Sequence, residues 1–107
     1  MFGSRISRIL AYQEAVDMRK SFDGLIGVVQ TALSEDPLPG TLYVFRNRRG
    51  NYVKGIFWDR TGYCLFAKRL ERGRFSIPSE ERVFELSEKI FFLLLDGIIL
   101  GSRREVR

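Results

Sequence analysis

Residues 41–75 read TLYVFRNRRGNYVKGIFWDRTGYCLFAKRLERGRF. Runs of β-branched and aromatic residues alternate here with short groups of polar residues and glycine, a pattern typical of strands joined by tight turns. The pattern predicts four strands, over Thr41–Arg46, Asn51–Asp59, Tyr63–Leu70 and Arg74–Ile77. Turns are expected at Asn47–Gly50, Arg60–Gly62 and Glu71–Gly73. Strands connected by turns this short form an antiparallel meander.

The sequence on either side of the meander predicts one helix before it and one after it. Apolar residues spaced three and four positions apart favour a helix over Met18–Leu33, with Asp17 or Ser21 as its N-terminal cap. A second helix is expected to begin at the cap Ser87 and to end at Gly97. Both helices carry an apolar face, and we expect both to pack on one face of the sheet.

Two shorter segments complete the expected fold. Ile6–Gln13 is interpreted as an edge strand and Val83–Leu86 as a short strand. The fold class is therefore predicted as α+β, an antiparallel β-meander of about four to five strands with a helix before it and a helix after it packed on the sheet. Residues 1–107 are expected to form one domain, in which 103–107 are a flexible basic tail.

Composition limits the compartment and the chemistry. Apolar residues make up 45% and charged residues 29%, which is typical of a globular protein. Cys64 is the single cysteine, so no internal disulfide forms and a reducing compartment is favoured. The longest apolar run near the C-terminus, Ile90–Leu95, is far shorter than the roughly 20 residues that span a bilayer. We expect a cytoplasmic protein without a membrane partner.

The charge is basic and unevenly distributed. The formal net charge is +5, and 14 arginines and 4 lysines make up the 18 basic residues. The window Arg46–Arg74 holds nine basic and two acidic residues, a charge of +7, so the rest of the chain sums to −2. Arginine binds phosphates and guanine edges in a bidentate geometry that lysine does not match, and the bias therefore favours an anionic partner.

The meander places two basic clusters side by side. Successive hairpin turns lie at alternating ends of a sheet, so the first and third turns are expected at the same end. Charged residues are also common at the solvated hairpin tips of ordinary proteins. For each basic residue taken alone, a solvated position without any binding role therefore remains an alternative. The candidate residues for binding nucleic acid or a partner are Arg46, Arg48, Arg49, Lys68, Arg69, Arg72 and Arg74.

No catalytic site is expected. The chain has no histidine, which excludes histidine bases, catalytic triads and zinc–histidine clusters. Asp17 and Asp23 flank the start of the first predicted helix and Asp59 opens a turn, so capping and turn roles explain these carboxylates better than metal binding. We expect no enzyme activity, metal, cofactor or small-molecule substrate.

Four blocks of the sequence resemble a known family. They are DMRKSFDGL at Asp17–Leu25, YVFRNRRG at Tyr43–Gly50, FWD at Phe57–Asp59 and LFAKRLERGRF at Leu65–Phe75. In this order and spacing they are similar to the accessory protein encoded by the second open reading frame of insertion sequence 66 elements, a TnpB-type protein unrelated to the RNA-guided nuclease of that name. The resemblance implies a role in bacterial transposition, beside a larger protein that carries the strand-transfer chemistry. Ser21 stands where the family pattern leads us to expect glycine.

Two functions remain open at this point. The first is a non-catalytic accessory factor that binds DNA at the element ends through the arginine-rich hairpin edge. The alternative is a protein-interaction module, in which the same edge docks on the transposase or another protein of the element without contacting DNA. The helix containing FDGL, or the region Ile90–Leu95, would then add apolar contact.

Overall fold

The computed structural model describes residues 6–76 and 79–97. Five strands and two helices occur in these ranges: β1 (Arg8–Tyr12), α1 (Phe22–Thr31), β2 (Thr41–Arg46), β3 (Tyr52–Asp59), β4 (Gly62–Arg69), β5 (Val83–Leu86) and α2 (Glu88–Leu95). The strands form one sheet in the order β4-β3-β2-β1-β5. The predicted α+β class is confirmed, and the sheet is mostly antiparallel with one parallel pair.

Strands β2, β3 and β4 form the antiparallel part that the sequence predicts. Tyr43 on β2 lies opposite Ile56 on β3, and Trp58 on β3 lies opposite Tyr63 on β4. The β3–β4 connection is a two-residue turn in which Arg60 adopts a positive φ of 50°. Consecutive strands joined by loops this short must pair with each other, so their neighbour relations follow directly from the sequence.

The interpretation of the first strand as an edge strand is wrong. β1 lies inside the sheet, parallel to β2 and antiparallel to β5, with Ile9 opposite Leu42 and Leu10 opposite Glu85. Helix α1 crosses over the sheet between β1 and β2 and returns the chain in the same direction, which makes this pair parallel. The apolar run in β1 fits such a strand, because both of its faces are covered.

The two helices lie on opposite faces of the sheet, so the expectation that they share one face is wrong. Leu42 and Val44 of β2 pack with α2, whereas Tyr43 and Phe45 of β2 pack with α1. Because β2 is apolar on both of its faces, each face needs a helix to exclude water. The cluster facing α1 contains Leu10, Tyr12, Val16, Leu25, Val29, Tyr43, Phe45 and Ile56. The cluster facing α2 contains Ile9, Ala11, Leu42, Val44, Val53, Leu70, Phe75, Leu86, Phe91, Leu94 and Leu95.

The predicted fourth meander strand, Arg74–Ile77, is not a strand over residues 74–76, and Ile77 lies outside the described residues. Phe75 turns into the core instead, where its ring meets the ring of Phe91 edge-on at 6.5 Å between centroids. The Phe75 N–H donates to the carbonyl oxygen of Gly50, but residues 74–76 do not continue this contact as a ladder. The free energy gained by burying the Phe75 ring therefore outweighs the local preference of residues 74–76 for a strand.

Helix α1 is shorter than predicted and begins at Phe22 rather than Met18. The segment before it is a turn, in which an Asp17 carboxylate oxygen accepts the Arg19 backbone N–H at 2.9 Å. This local bond offers the backbone an alternative to the helix. Ser21 occupies the N-cap position, but its side chain makes no capping hydrogen bond.

Helix α2 has the predicted ends. The Ser87 hydroxyl accepts the Ile90 N–H at 3.2 Å, which satisfies one of the free donors in the first turn. Gly97 follows the last turn with a φ of 78° and donates its N–H to Leu94. The tail predicted at residues 103–107 lies outside the described residues.

Candidate nucleic-acid interface

One end of the sheet is formed by the C-terminal ends of β2 and β4 and by the N-terminal end of β3. Residues 47–51 connect β2 to β3 at this end, and we call them the tip loop. Residues 70–76 leave β4 at the same end, and we call them the return loop. Most of the basic residues singled out in the sequence lie in or beside these two loops.

The tip loop is held by the side chain of Asn47. Its Oδ1 accepts the Tyr52 backbone N–H at 3.1 Å, and its Nδ2 donates to Asn51 Oδ1 at 2.7 Å. Gly50 donates its N–H to the Asn47 carbonyl at 3.1 Å and has a φ of 75°, a conformation that glycine adopts without strain. The loop backbone is thus fixed, and Arg48 and Arg49 project from it into solvent.

The return loop is anchored at both ends. Leu70 and Phe75 are 7% and 1% exposed, and both pack in the cluster that faces α2. The Leu70 N–H donates to Asn51 O at 2.7 Å, and the Phe75 N–H donates to Gly50 O at 2.6 Å. These two hydrogen bonds tie the return loop to the tip loop, while residues 71–74 between the anchors are exposed.

A backbone contact between Gly73 and Gly97 supports the return loop. Gly73 has a φ of 76° and lies against the backbone of Gly97, just beyond α2. A Cβ atom on Gly73 would overlap the Gly97 carbonyl oxygen, and one on Gly97 would lie 2.7 Å from the Arg72 carbonyl oxygen. The backbone approach at this point therefore requires glycine at both positions.

The two loops enclose a small open cavity of about 150 Å³. It brings the first predicted cluster, Arg46, Arg48 and Arg49, together with Arg74 of the second. The other lining residues are Gly50, Phe75 and Ser76, so no carboxylate lines the cavity. The arrangement concentrates guanidinium groups around a space that is open to solvent.

The remaining candidate residues lie beside the cavity rather than on its wall. Lys68 Nζ is 3.9 Å from Asp96 Oδ1, and Arg69 Nε is 3.3 Å from Glu71 Oε2. Both pairs are exposed, so they are weak interactions that solvent screens. Arg72 is exposed, and its backbone carbonyl packs against Gly97.

Arg46 differs from the other cavity residues because it is half-buried. Its Nη2 donates to the Gln13 carbonyl at 2.6 Å, and its Nη1 lies 3.3 Å from the Asn47 carbonyl. Its Nε is buried and has no hydrogen-bond partner among the described residues. Burial lowers the pKa of the Arg46 guanidinium. The side chain connects the segment after β1 to the tip loop.

Charge pairing separates the arginines into two groups. Ten of the 14 arginines lie in the described ranges. Four arginines pair with a carboxylate: Arg8 with Glu35, Arg19 with Asp17, Arg69 with Glu71 and Arg82 with Glu14. Five arginines make no ion pair or hydrogen bond with any residue in 6–76 or 79–97: Arg48, Arg49, Arg60, Arg72 and Arg74. Four of these five lie in the tip loop and the return loop.

Comparison with known proteins identifies the family. Residues 7–105 match the model of the family described as IS66 Orf2 like protein. The chain belongs to this family. It is 47% identical to the uncharacterized protein y4hO of Sinorhizobium fredii, over 77% of this chain and 72% of the relative. It is 36% identical to the uncharacterized protein y4jC of the same organism, over 89% of this chain and 82% of the relative.

This match confirms the resemblance seen in the sequence. The family indicates an accessory protein associated with transposition. No solved structure matches the chain significantly. None of the helices in the described residues has the length and apolar character needed to cross a membrane.

The DMRKSFDGL block of this IS66 Orf2-like protein has a structural role that the sequence alone did not reveal. The Arg19 guanidinium binds both carboxylate oxygens of Asp17 at 2.7–3.1 Å and lowers the pKa of Asp17 to about 2. Lys54, which is buried on β3, donates from Nζ to the Lys20 carbonyl at 2.8 Å. Leu25 is completely buried. The block therefore attaches the start of α1 to the sheet.

Proposed function

We propose that the chain is a non-catalytic accessory factor of transposition that binds DNA at the element ends through the tip loop and the return loop. The observation that carries this proposal is the group of unpaired arginines at one end of the sheet: Arg48, Arg49, Arg72 and Arg74. An exposed guanidinium without a carboxylate partner keeps its full charge and all its donors available for an anion.

The anchoring of both loops supports DNA as the ligand. A loop that is fixed before binding loses little conformational entropy when it binds. Each neutralised phosphate releases about one counterion, so the affinity should fall between 50 and 200 mM salt, by up to roughly 100-fold if the four arginines neutralise four separate phosphates. Such contacts would be made in the bacterial cytoplasm, where the DNA of the element lies.

The assignment as non-catalytic rests on which groups could carry protons or metal ions. The chain has no histidine. Asp17 accepts hydrogen bonds from Arg19, and Glu14 accepts hydrogen bonds from Tyr12 and Arg82. These bonds lower the pKa of each carboxyl, which makes both poor general bases. In this proposal, a separate protein of the element performs strand transfer.

Fluorescence anisotropy with a labelled duplex of the terminal inverted repeat tests the proposal. The double variant Arg48→Ala/Arg49→Ala should bind about 10- to 100-fold more weakly than the wild type at 100 mM salt, because two phosphate contacts are lost. Arg60→Ala is the matched control, since Arg60 is also exposed and unpaired among the described residues but lies at the opposite end of the sheet. The proposal fails if the wild type does not bind DNA at low salt, or if the double variant binds as tightly as the wild type.

A second candidate function is supported by the same unpaired guanidinium groups. An arginine fork fits a carboxylate as well as a phosphate, so the two loops could dock on an acidic surface of the transposase or of another element protein. Co-purification of the element proteins separates the two functions. Loss of the association on Arg48→Glu/Arg49→Glu substitution, in a protein that does not bind DNA, would favour docking.

A further inference from the structure

The cavity between the tip loop and the return loop has the composition and rigidity of a site for a single anionic group. We propose that it holds one internal phosphodiester of a DNA backbone, bound by Arg48 and Arg49 from the tip loop and by Arg74 from the return loop. This inference rests on the proposed function and specifies which chemical group is bound and which side chains hold it.

Charge restricts the ligand to an anion. Every charged residue on its wall is an arginine. Arg48, Arg49 and Arg74 have no ion-pair partner in the described parts of the chain, so a phosphate would be their first counter-charge.

The two sides of the cavity are fixed relative to each other. The hydrogen bond from Phe75 N–H to Gly50 O joins the residue after Arg74 to the residue after Arg49. Burial of the Phe75 side chain holds this link in place. The Arg74 backbone therefore cannot move away from Arg49 without exposing an aromatic ring, so the backbone positions from which Arg49 and Arg74 extend are fixed before any ligand arrives.

Arg46 is a positioning residue in this site. It lines the cavity wall, but its Nη2 is committed to the Gln13 carbonyl. Its Nε is buried and has no acceptor among the described residues, so it adds no exposed donor to the cavity. Because Arg46 also holds the Asn47 carbonyl, it fixes the start of the tip loop.

A phosphodiester at this position contributes affinity and orientation but carries no sequence information. The same phosphate chemistry occurs at a terminal 5′-phosphate, and the experiment separates these two sources. We expect binding to be similar for duplexes with and without 5′-phosphates, because a backbone phosphodiester is present in both.

A double-mutant cycle on DNA affinity tests whether two arginines share one phosphate. Arg48→Ala and Arg74→Ala should each weaken binding about 10-fold, and together only about 20- to 30-fold rather than 100-fold, because the second loss acts on a contact already broken. The pair Arg60→Ala and Arg74→Ala is the control. Their fold-changes in DNA affinity should multiply in the double variant, since these residues lie at opposite ends of the sheet. All three residues are exposed, so the variants should fold, and the melting temperature checks this.

A duplex with one uncharged methylphosphonate linkage, scanned along the backbone, locates the phosphate. At one position it should reduce wild-type affinity about 10-fold but the affinity of Arg48→Ala only about 2- to 3-fold, because Arg49 and Arg74 still contact the phosphate in that variant. If the losses of DNA affinity caused by Arg48→Ala and Arg74→Ala multiply fully in a protein that binds DNA, the shared phosphate site is wrong and the proposed function stands. If removal of the 5′-phosphate abolishes binding, the internal phosphodiester is wrong. Absence of wild-type binding at low salt refutes the proposed function itself.

Discussion

The block Asp17–Leu25 and the tip loop are both rich in charged residues, yet the protein uses their charges differently. In the first block, Arg19 binds the carboxylate of Asp17, and the Lys20 carbonyl accepts a hydrogen bond from buried Lys54. In the tip loop, asparagine side chains and backbone groups hold the structure, while Arg48 and Arg49 make no bond with any described residue. Two similar-looking motifs thus differ in how far their charges are paired within the fold.

The difference teaches that charge content alone does not mark a binding surface. An arginine whose carboxylate partner lies two residues away contributes to local structure and has fewer donors left for a ligand. An arginine on a rigid loop without a partner contributes little to stability and keeps its charge for binding. Substitutions in the first region should therefore change stability, and those in the second should change DNA affinity.

The largest effect is expected from Leu25→Ala in the first region. Leu25 is completely buried between α1 and the sheet, so truncation removes apolar contacts and leaves a cavity. The free energy of unfolding should fall by about 2–5 kcal/mol, measured by urea denaturation. Arg48→Ala should change it by less than about 0.5 kcal/mol. The comparison breaks down if Arg48→Ala destabilises the protein as much as Leu25→Ala does.

An intermediate effect is expected from Gly73→Ala, which should change both the free energy of unfolding and the DNA affinity. The new methyl group would meet the Gly97 backbone, and φ is positive at this position, so the free energy of unfolding should fall by about 1–3 kcal/mol. DNA affinity should fall as well, although no charge is lost, because the return loop is displaced. Gly27→Ala in α1 is the control: a Cβ there meets open space, and this variant should be more stable by about 0.5–1 kcal/mol. Unchanged affinity of Gly73→Ala would show that the loop position does not matter.

The smallest effect is expected from Asp17→Asn, and the difference from the wild type should disappear in acid. Because Arg19 lowers the pKa of Asp17 from 3.8 to about 2, the pair stabilises the folded state above pH 3.8, and this contribution disappears as the pH falls towards 2. The variant lacks the contribution, so its melting temperature should depend less on pH between pH 4 and 2. Identical pH profiles for variant and wild type would contradict a stabilising role for the pair.

Local signals in the sequence were sufficient for part of the fold. The strands of the β3–β4 hairpin, the Ser87 cap and the left-handed Gly97 each follow from residues close in sequence. The parallel pairing of β1 depends on where α1 returns the chain, and no residue within β1 encodes that choice. The placement of the helices on opposite faces follows from the two-sided burial of β2, which an apolar run of four residues, Leu42–Phe45, indicates only weakly.

The candidate site shows the same limit. Turns one and three were expected at one end, and Arg74 does lie beside Arg48 and Arg49, although an anchored loop rather than a fourth strand places it there. The engagement of Arg46 with the Gln13 carbonyl was not predictable, because the partner lies 33 residues away. Binding by these residues stays a prediction that the DNA experiments test.

The contact between Gly73 and Gly97 restricts which sequence changes this chain can accept. Each glycine faces backbone atoms of the opposing segment, so no compensating side-chain change in that segment can make room for a larger residue. The number of residues from Leu70 to Gly73 is equally constrained, since one insertion would carry Gly73 past its partner. Charge substitutions in the return loop therefore leave its backbone path intact, whereas a change in its length would separate Gly73 from Gly97.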